Sequence, residues 1–152
     1  MISFDEIDRK LLLELSENAD QTAGKIARKL GLSQPAAWRR IKRLESNIIK
    51  GYRVSLNKEI LGFGVTVFLG IKLATKGRVS LVDFERAVIS IPEVQSVQHV
   101  LGLYDYRLRI VSKDLSDFER ILRRRIMSLP GVGNVEANVL LSEERRIGPL
   151  GV

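Results

Sequence analysis

The 152-residue chain carries 25 Lys and Arg against 18 Asp and Glu, a formal charge of +7 that points to a polyanionic partner. It has no cysteine and one histidine, which excludes a disulfide framework, a thiol nucleophile and a cysteine metal site and argues against a histidine-based metal site or triad. No apolar run approaches membrane-spanning length, and acids stand where a signal peptide would carry basic and then apolar residues, so the expected location is the cytoplasm with no membrane contact. With 45% apolar residues the chain can bury the core of one ordinary domain or of two small ones.

Asp5 to Asn18 reads as a first helix, with Ile7, Leu11 and Leu15 repeating at i+4, Leu12 widening the stripe and acids in the first turn, where the helix dipole favours them. Leu13 falls on the far side. Thr22 caps a second helix in which Ile26, Ala27 and Leu30 share a face, and Gly31 is suited to end it in the left-handed conformation. Gly24 inside this helix costs about 1 kcal/mol relative to alanine and has no reason visible in the sequence. Ser33 then caps a third helix, with Pro35 in its first turn. Ala37, Ile41 and Leu44 face inward, while Pro35, Ala36, Arg39, Lys42 and Arg43 lie on the other side.

Two short helices around a tight turn, the second small at its start and basic along its outer face, suit entry into a DNA major groove. From Lys25 to Arg53 nine basic side chains stand against one acid, Glu45. That net of +8 exceeds the charge of the whole chain, so the basic footprint is concentrated over this segment, as phosphate neutralisation requires. The predicted DNA-contacting residues are Ser33, Gln34, Pro35, Ala36, Arg39, Lys42 and Arg43, with Arg40, Lys50 and Arg53 on or near the backbone. Trp38, between the core face and the basic face, is expected to pack on a neighbouring helix or wing, with base contact as the alternative.

Strand-forming residues around Gly51 predict a short hairpin over 48–56, a wing, with Ile48, Tyr52 and Val54 able to cover the helical core. Residues 57–64 read as a linker with a short turn of helix. Beyond it the pattern predicts a strand over 65–73, a loop over 75–78, a helix over 80–90, a strand over 94–101, a turn over 102–105, a strand over 106–111, a helix to Ser128 and a last strand over 132–141, then a tail. In the two helices Leu81, Phe84, Ala87 and Val88, and Leu115, Phe118, Ile121, Leu122 and Ile126, are expected inside. His99 reads as a core or interface residue, and Arg123, Arg124 and Arg125 as a solvated face.

The fold class is therefore α+β: an N-terminal winged helix-turn-helix over 1–56, a linker over 57–64 and a C-terminal ferredoxin-like βαββαβ domain over 65–152, with an antiparallel sheet and both helices on one face. The strands are apolar on both sides, so the face away from the helices needs a cover. A second copy of the same sheet supplies it, and a homodimer also gives two recognition helices for two half-sites. No catalytic residue, cofactor or metal is predicted.

Ile7-Asp8 with its Leu-rich helix, Leu30-Gly31-Leu32-Ser33, Arg40-Ile41 with Leu44-Glu45, Ile49-Lys50-Gly51-Tyr52, Gly102 with Tyr104-Asp105-Tyr106, and Leu129-Pro130-Gly131-Val132 occur in an order and at spacings that resemble the Lrp/AsnC family of bacterial and archaeal transcription regulators. The resemblance covers nearly the whole chain. It implies dimers that assemble into octamers or other higher oligomers, often with bent or wrapped double-stranded DNA. It also implies an amino acid or related small molecule bound between dimers near the Gly-x-Tyr-Asp turn. Carried over, Gly102, Leu103, Tyr104 and Asp105 are the effector-binding candidates, with Asp105 expected to accept from an α-ammonium group. Many family members have an acid where Leu103 stands.

Two other readings compete. An architectural protein would cover DNA with little sequence preference and differ from a regulator only in specificity ratio. Siroheme decarboxylases share the two-domain plan, but they resemble one another around a histidine- and arginine-bearing strand motif, and the stretch Gln98 to Asp105 here does not look like it.

Overall fold

The computed structural model describes residues 4–74 and 78–144. Contacts divide the chain into two units, with the boundary between Ser55 and Leu56.

In the first unit, α1 (Glu6–Glu17) starts at a capping box: the Asp5 side chain accepts from the Asp8 N–H, and the Asp8 side chain accepts from the Asp5 N–H. Helix α2 (Ala23–Leu30) is capped by Thr22 and ends at Gly31, whose φ of 66° is the left-handed conformation. Helix α3 (Gln34–Asn47) is capped by Ser33. Leu11, Leu15, Ile26, Ile41 and Leu44 form the small core the periodicity predicts.

One polar group joins that core. Asp8 is fully buried. Its carboxylate accepts from Arg40 at 2.9 Å and from Arg43 at 2.5 Å, and Arg40 also reaches Asp5 at 2.8 Å. Two guanidinium groups one turn apart on α3 thus neutralise a carboxylate on α1 and fix the angle between the helices. Burying an unpaired carboxylate would cost several kcal/mol, so the pairing is a condition of the packing.

In the second unit, β1 (Val65–Leu73), β2 (Val94–His99), β3 (Tyr106–Ser112) and β4 (Val132–Val139) form one antiparallel sheet in the order β2-β3-β1-β4. Helices α4 (Arg78–Ile89) and α5 (Leu115–Ile121) cover one face. There Val67, Leu69, Ile71, Tyr106, Leu108 and Ile110 meet Phe84, Val88, Phe118, Ile121 and Ile126. This is the predicted βαββαβ arrangement. The buried Tyr106 hydroxyl donates to Glu85 at 2.5 Å; burial and that carboxylate together push the phenol well above its ordinary pKa.

Several local expectations are corrected. No strand ladder forms over 48–56, so the predicted wing hairpin is absent. Two such short strands need a third strand or a helix face, and none covers them: Ile48, Tyr52 and Val54 are 40%, 49% and 84% exposed. Ile49 packs on the core instead. The stretch read as a linker belongs to the second unit from Leu56 onward, and Lys58 donates to the Thr66 hydroxyl at 2.6 Å. The last predicted helix changes at Leu122 into a π-helical turn (Leu122–Ile126), closed by the Met127 N–H on the Leu122 carbonyl, which brings Ile126 into the core while Leu115 stays exposed. His99 is exposed at the end of the β2 edge strand, stacked on Tyr106 at 4.9 Å between ring centroids. Of the predicted loop over 75–78, residues 75–77 lie outside the described residues, as does the tail beyond Glu144.

The Asp5–Asp8–Arg40–Arg43 cluster gives a pH signature. The Asp8 N–H and then Arg40 lower the Asp5 pKa below its ordinary 3.8. A carboxylate with a depressed folded pKa contributes its full stability above the unfolded value and loses it as pH falls through the folded one. Asp5→Asn is therefore expected to lower the urea midpoint at pH 7, with the variant and the parent protein converging as pH is taken below 3.8. Asp8→Ala, which leaves Arg43 without its acid and Arg40 with Asp5 alone, should lower the urea midpoint further than Asp5→Asn in the same experiment.

Candidate DNA-binding surface and effector cleft

Ser33, Gln34 and Pro35 lie exposed at the start of α3, and Trp38, Arg39 and Lys42 are exposed along it, with Ala36 half-buried. The Ser33 hydroxyl accepts from the Ala36 N–H at 3.3 Å and its carbonyl from the Ala37 N–H at 3.0 Å, so the helix start is fixed. Arg39 makes no ion pair among the described residues, which leaves its planar fork for a phosphate or a guanine edge. Lys42 reaches Glu45 at 2.7 Å and sits 5.9 Å from the Trp38 ring. Trp38 is 54% exposed, so the expectation that it packs on a neighbouring helix is corrected: it stands on the outer face. Lys50 and Arg53 are exposed on the segment that follows.

Arg40 and Arg43 differ. Both line a groove with Leu32, Ala36 and Arg39, but their guanidinium groups are turned to the Asp5 and Asp8 carboxylates. Arg43 was expected to share the groove-facing role of Arg39, and its geometry makes it a positioning residue for α3. Sequence reading placed the two acids in the first turn of α1 and assigned them to the helix dipole; it missed their partners more than 30 residues away, because helical periodicity carries no information between helices.

The structure also supplies a reason for Gly24. A Cβ there would lie 3.3 Å from the Gln34 side-chain carbonyl carbon and oxygen. The absent methyl leaves room for the Gln34 amide to lie against α2, which sets how that side chain is presented.

In the second unit the turn between β2 and β3 contributes to a cleft of about 310 Å³ on the sheet face away from the helices. Gly102, Leu103 and Tyr104 line it together with Phe68, Gly70, Val100, Arg107 and Asn138. The register explains the company: Gly70 pairs with Arg107, and Phe68 pairs with Asn138 on its other side. The Tyr104 ring lies flat on β1, because a Cβ on Gly70 would be 2.8 Å from it. The Tyr104 hydroxyl donates to Glu136, which raises the phenol pKa and, with the Asn138 amide, lowers that of Glu136. Arg107 stacks over Phe68 at 4.6 Å.

Asp105 does not line the cleft. Its carboxylate accepts from the Leu73 N–H at 2.9 Å and from Lys72 at 3.5 Å, while its own N–H donates to the Ile71 carbonyl. The expected role of this residue in receiving an α-ammonium group is thus corrected: the side chain ties the turn to β1. Phe68, Gly70, Val100, Arg107 and Asn138 were missed, because strand alternation shows that Arg107 faces away from Tyr106 and Leu108 but not which residues of β1 and β4 lie beside it. Among the described residues no cluster of three metal-ligating side chains occurs, and no described helix is long and apolar enough to cross a membrane.

A capped, basic second helix behind a left-handed glycine turn, joined to a βαββαβ unit bearing a small-molecule-sized cleft, defines a helix-turn-helix DNA-binding protein with a ligand-binding domain. Residues 4–45 match the AsnC-type helix-turn-helix domain and residues 66–149 the Lrp/AsnC ligand binding domain. The chain belongs to the Lrp/AsnC family of DNA-binding transcription regulators. It is 32% identical over 145 residues to a proline dehydrogenase transcriptional activator of Rhizobium radiobacter, covering 95% of this chain and 93% of that one. It is 31% identical to the leucine-responsive regulatory protein of Haemophilus influenzae, covering 95% and 87%. A transcriptional regulator of Neisseria meningitidis, solved as a complex with L-methionine, superposes with a TM-score of 0.90 at 27% identity over 95% of this chain and 94% of that one. These relatives are named as regulators, not enzymes, which sets the decarboxylase reading aside.

The division among the arginines is open to direct measurement. Arg39→Ala is expected to weaken operator binding and reduce the slope of log affinity against log salt by about 0.9 if it neutralises one phosphate, with an unchanged urea midpoint. Arg43→Ala should lower the urea midpoint as well as the affinity. Gly24→Ala should gain helix propensity of about 1 kcal/mol yet bind operator less well, because Gln34 must move; thermal melts and a fluorescence-anisotropy titration read the two effects separately.

Proposed function

We propose that this regulator recognises its operator through Gln34, Ala36, Trp38, Arg39 and Lys42, with Ser33 and Pro35 shaping the helix start and Lys50 and Arg53 on flanking phosphate. The observation that carries this reading is the outer face of α3, where Arg39 stands without an ion-pair partner among the described residues while Arg40 and Arg43 are held by acids. Its place of action is the cytoplasm.

A small-molecule effector occupies the cleft at Gly102, Leu103 and Tyr104. The size of the cleft and the L-methionine complex of the Neisseria relative support this assignment. Asp105 supports the site indirectly, by holding the turn. The working form is a homodimer that assembles further, to an octamer or another higher oligomer. The apolar side chains on and around the outer sheet face, with Leu101, Leu103 and Leu141 strongly exposed, favour burial against a second copy. Effector binding changes how the dimers pack and so the spacing of the recognition helices.

The test is a titration of the intact protein against the DNA upstream of its own gene and against random DNA, each with and without a panel of amino acids and their metabolic relatives. Tight binding to the former, altered by one component, is expected. Equal, salt-sensitive binding to both DNAs with no response would replace this reading with the architectural one.

A further inference from the structure

The outer face of α3 carries two chemistries. Arg39 is a cation open to solvent. Trp38, beside it in the chain, is the largest apolar side chain on this face and is 54% exposed. One turn further on, the Lys42 ammonium sits 5.9 Å from the indole ring. Its charge is answered by Glu45 at 2.7 Å, and Glu45 also accepts from the Tyr52 hydroxyl at 3.1 Å. The Lys42 hydrogen bond pulls the Glu45 carboxyl below its ordinary pKa, so the pair stays ionised at neutral pH. Trp38, Lys42 and Glu45 stand at i, i+4 and i+7, one stripe of the helix. The ring is therefore backed by a neutralised pair that Tyr52 anchors to the segment after α3.

A single exposed apolar residue needs no partner in general. Trp38 differs by its position, one turn after Gln34 and next to Arg39, on the surface that DNA covers. A second copy of the chain cannot cover it without closing that surface. Base edges in the major groove present hydrogen-bond donors and acceptors and one apolar projection, the C5-methyl group of thymine. The carbon face of an indole offers nothing to the polar groups and takes water from them, which costs affinity. Against a methyl group it gains, and burying one methyl is worth about fourfold in affinity. Pro35 and Ala36, at the start of the helix, leave room for close approach to the groove.

We propose that Trp38 is a specificity-determining residue that reads a thymine methyl group in the operator, while Arg39 beside it takes a phosphate or a guanine edge. The inference rests on the reading of α3 as the recognition helix and names the base group that one of its residues reads.

The full-length protein is used to select its preferred duplexes from a random pool. The selected site is then remade with deoxyuridine in place of each thymidine in turn, which removes one methyl and no hydrogen-bonding group. At one position of the half-site the exchange is expected to weaken binding about fourfold or more. Trp38→Ala should weaken binding of the thymine site by a similar factor and bind the thymine and uracil sites equally. Trp38→Phe, which keeps an apolar ring, should retain part of the discrimination. Arg39→Ala should weaken binding of both sites and keep their ratio. If no position distinguishes thymine from uracil, or if the distinction survives in Trp38→Ala with an unchanged melting temperature, the methyl contact is overturned. The same holds if Trp38→Ala weakens the selected site and random DNA alike, which places the ring on the sugar-phosphate backbone. In these cases a loss of affinity in Arg39→Ala leaves α3 standing as the recognition helix. No selected consensus, or parental binding by both Trp38→Ala and Arg39→Ala, overturns the recognition-helix reading together with the contact.

Discussion

A carboxylate can be removed from water in a protein core when opposite charge and hydrogen bonds replace its hydration, and Asp8 meets that condition through Arg40 and Arg43. The apolar cluster of the first unit is small, and apolar contacts do not specify direction. Hydrogen bonds from two guanidinium groups do. They fix the rotation of α3 about its axis relative to α1, and that rotation decides which side chains face outward. The same contact thus separates the basic residues of α3 into two groups. Arg40 and Arg43 are held by acids, while Arg39 remains turned to solvent. The helix is as basic as its sequence suggests, but its outward charge is smaller than a count of its residues.

The second unit uses a comparable device at a different place. Asp105 fixes the turn between β2 and β3 to the backbone of β1, and the ring of Tyr104 lies on the bare backbone of Gly70. Turn and sheet are thereby held together, so the cleft is lined by rigid elements rather than by a free loop. In each unit an aspartate positions the residues beside it. The arginines divide: those that sequence spacing placed on the DNA are partly structural, and Arg107 proves to line the cleft.

Element order, the ends of α1, α2 and α3, and both cores were legible because they depend on local signals. Periodicity, Ser33 and Thr22 as caps, and Gly31 as a helix end all act within a few residues. The family resemblance was legible for the same reason, since its motifs are short. What the sequence did not reveal depends on partners distant in the chain. The pairing of Asp8 with Arg43, of Gly24 with Gln34 and of Gly70 with Tyr104 each joins separate elements. The wing failed for a further reason. Strand-forming residues around Gly51 satisfy a local pattern, but a ladder also requires a surface to pack on, and propensity does not report one.

Trp38 gives the protein an optical property. It is the chain's sole tryptophan, and it is more than half exposed on the outer face of α3, beside Lys42. Of the three tyrosines, Tyr52 shares its unit and Tyr104 and Tyr106 lie in the other, and a phenol barely absorbs at wavelengths where an indole still does. Excitation at the red edge of the protein absorption band therefore selects one indole in the helix-turn-helix unit. Its emission colour and its accessibility to dissolved quenchers report on the recognition face without any attached dye, and events in the cleft register there when they are transmitted to that face.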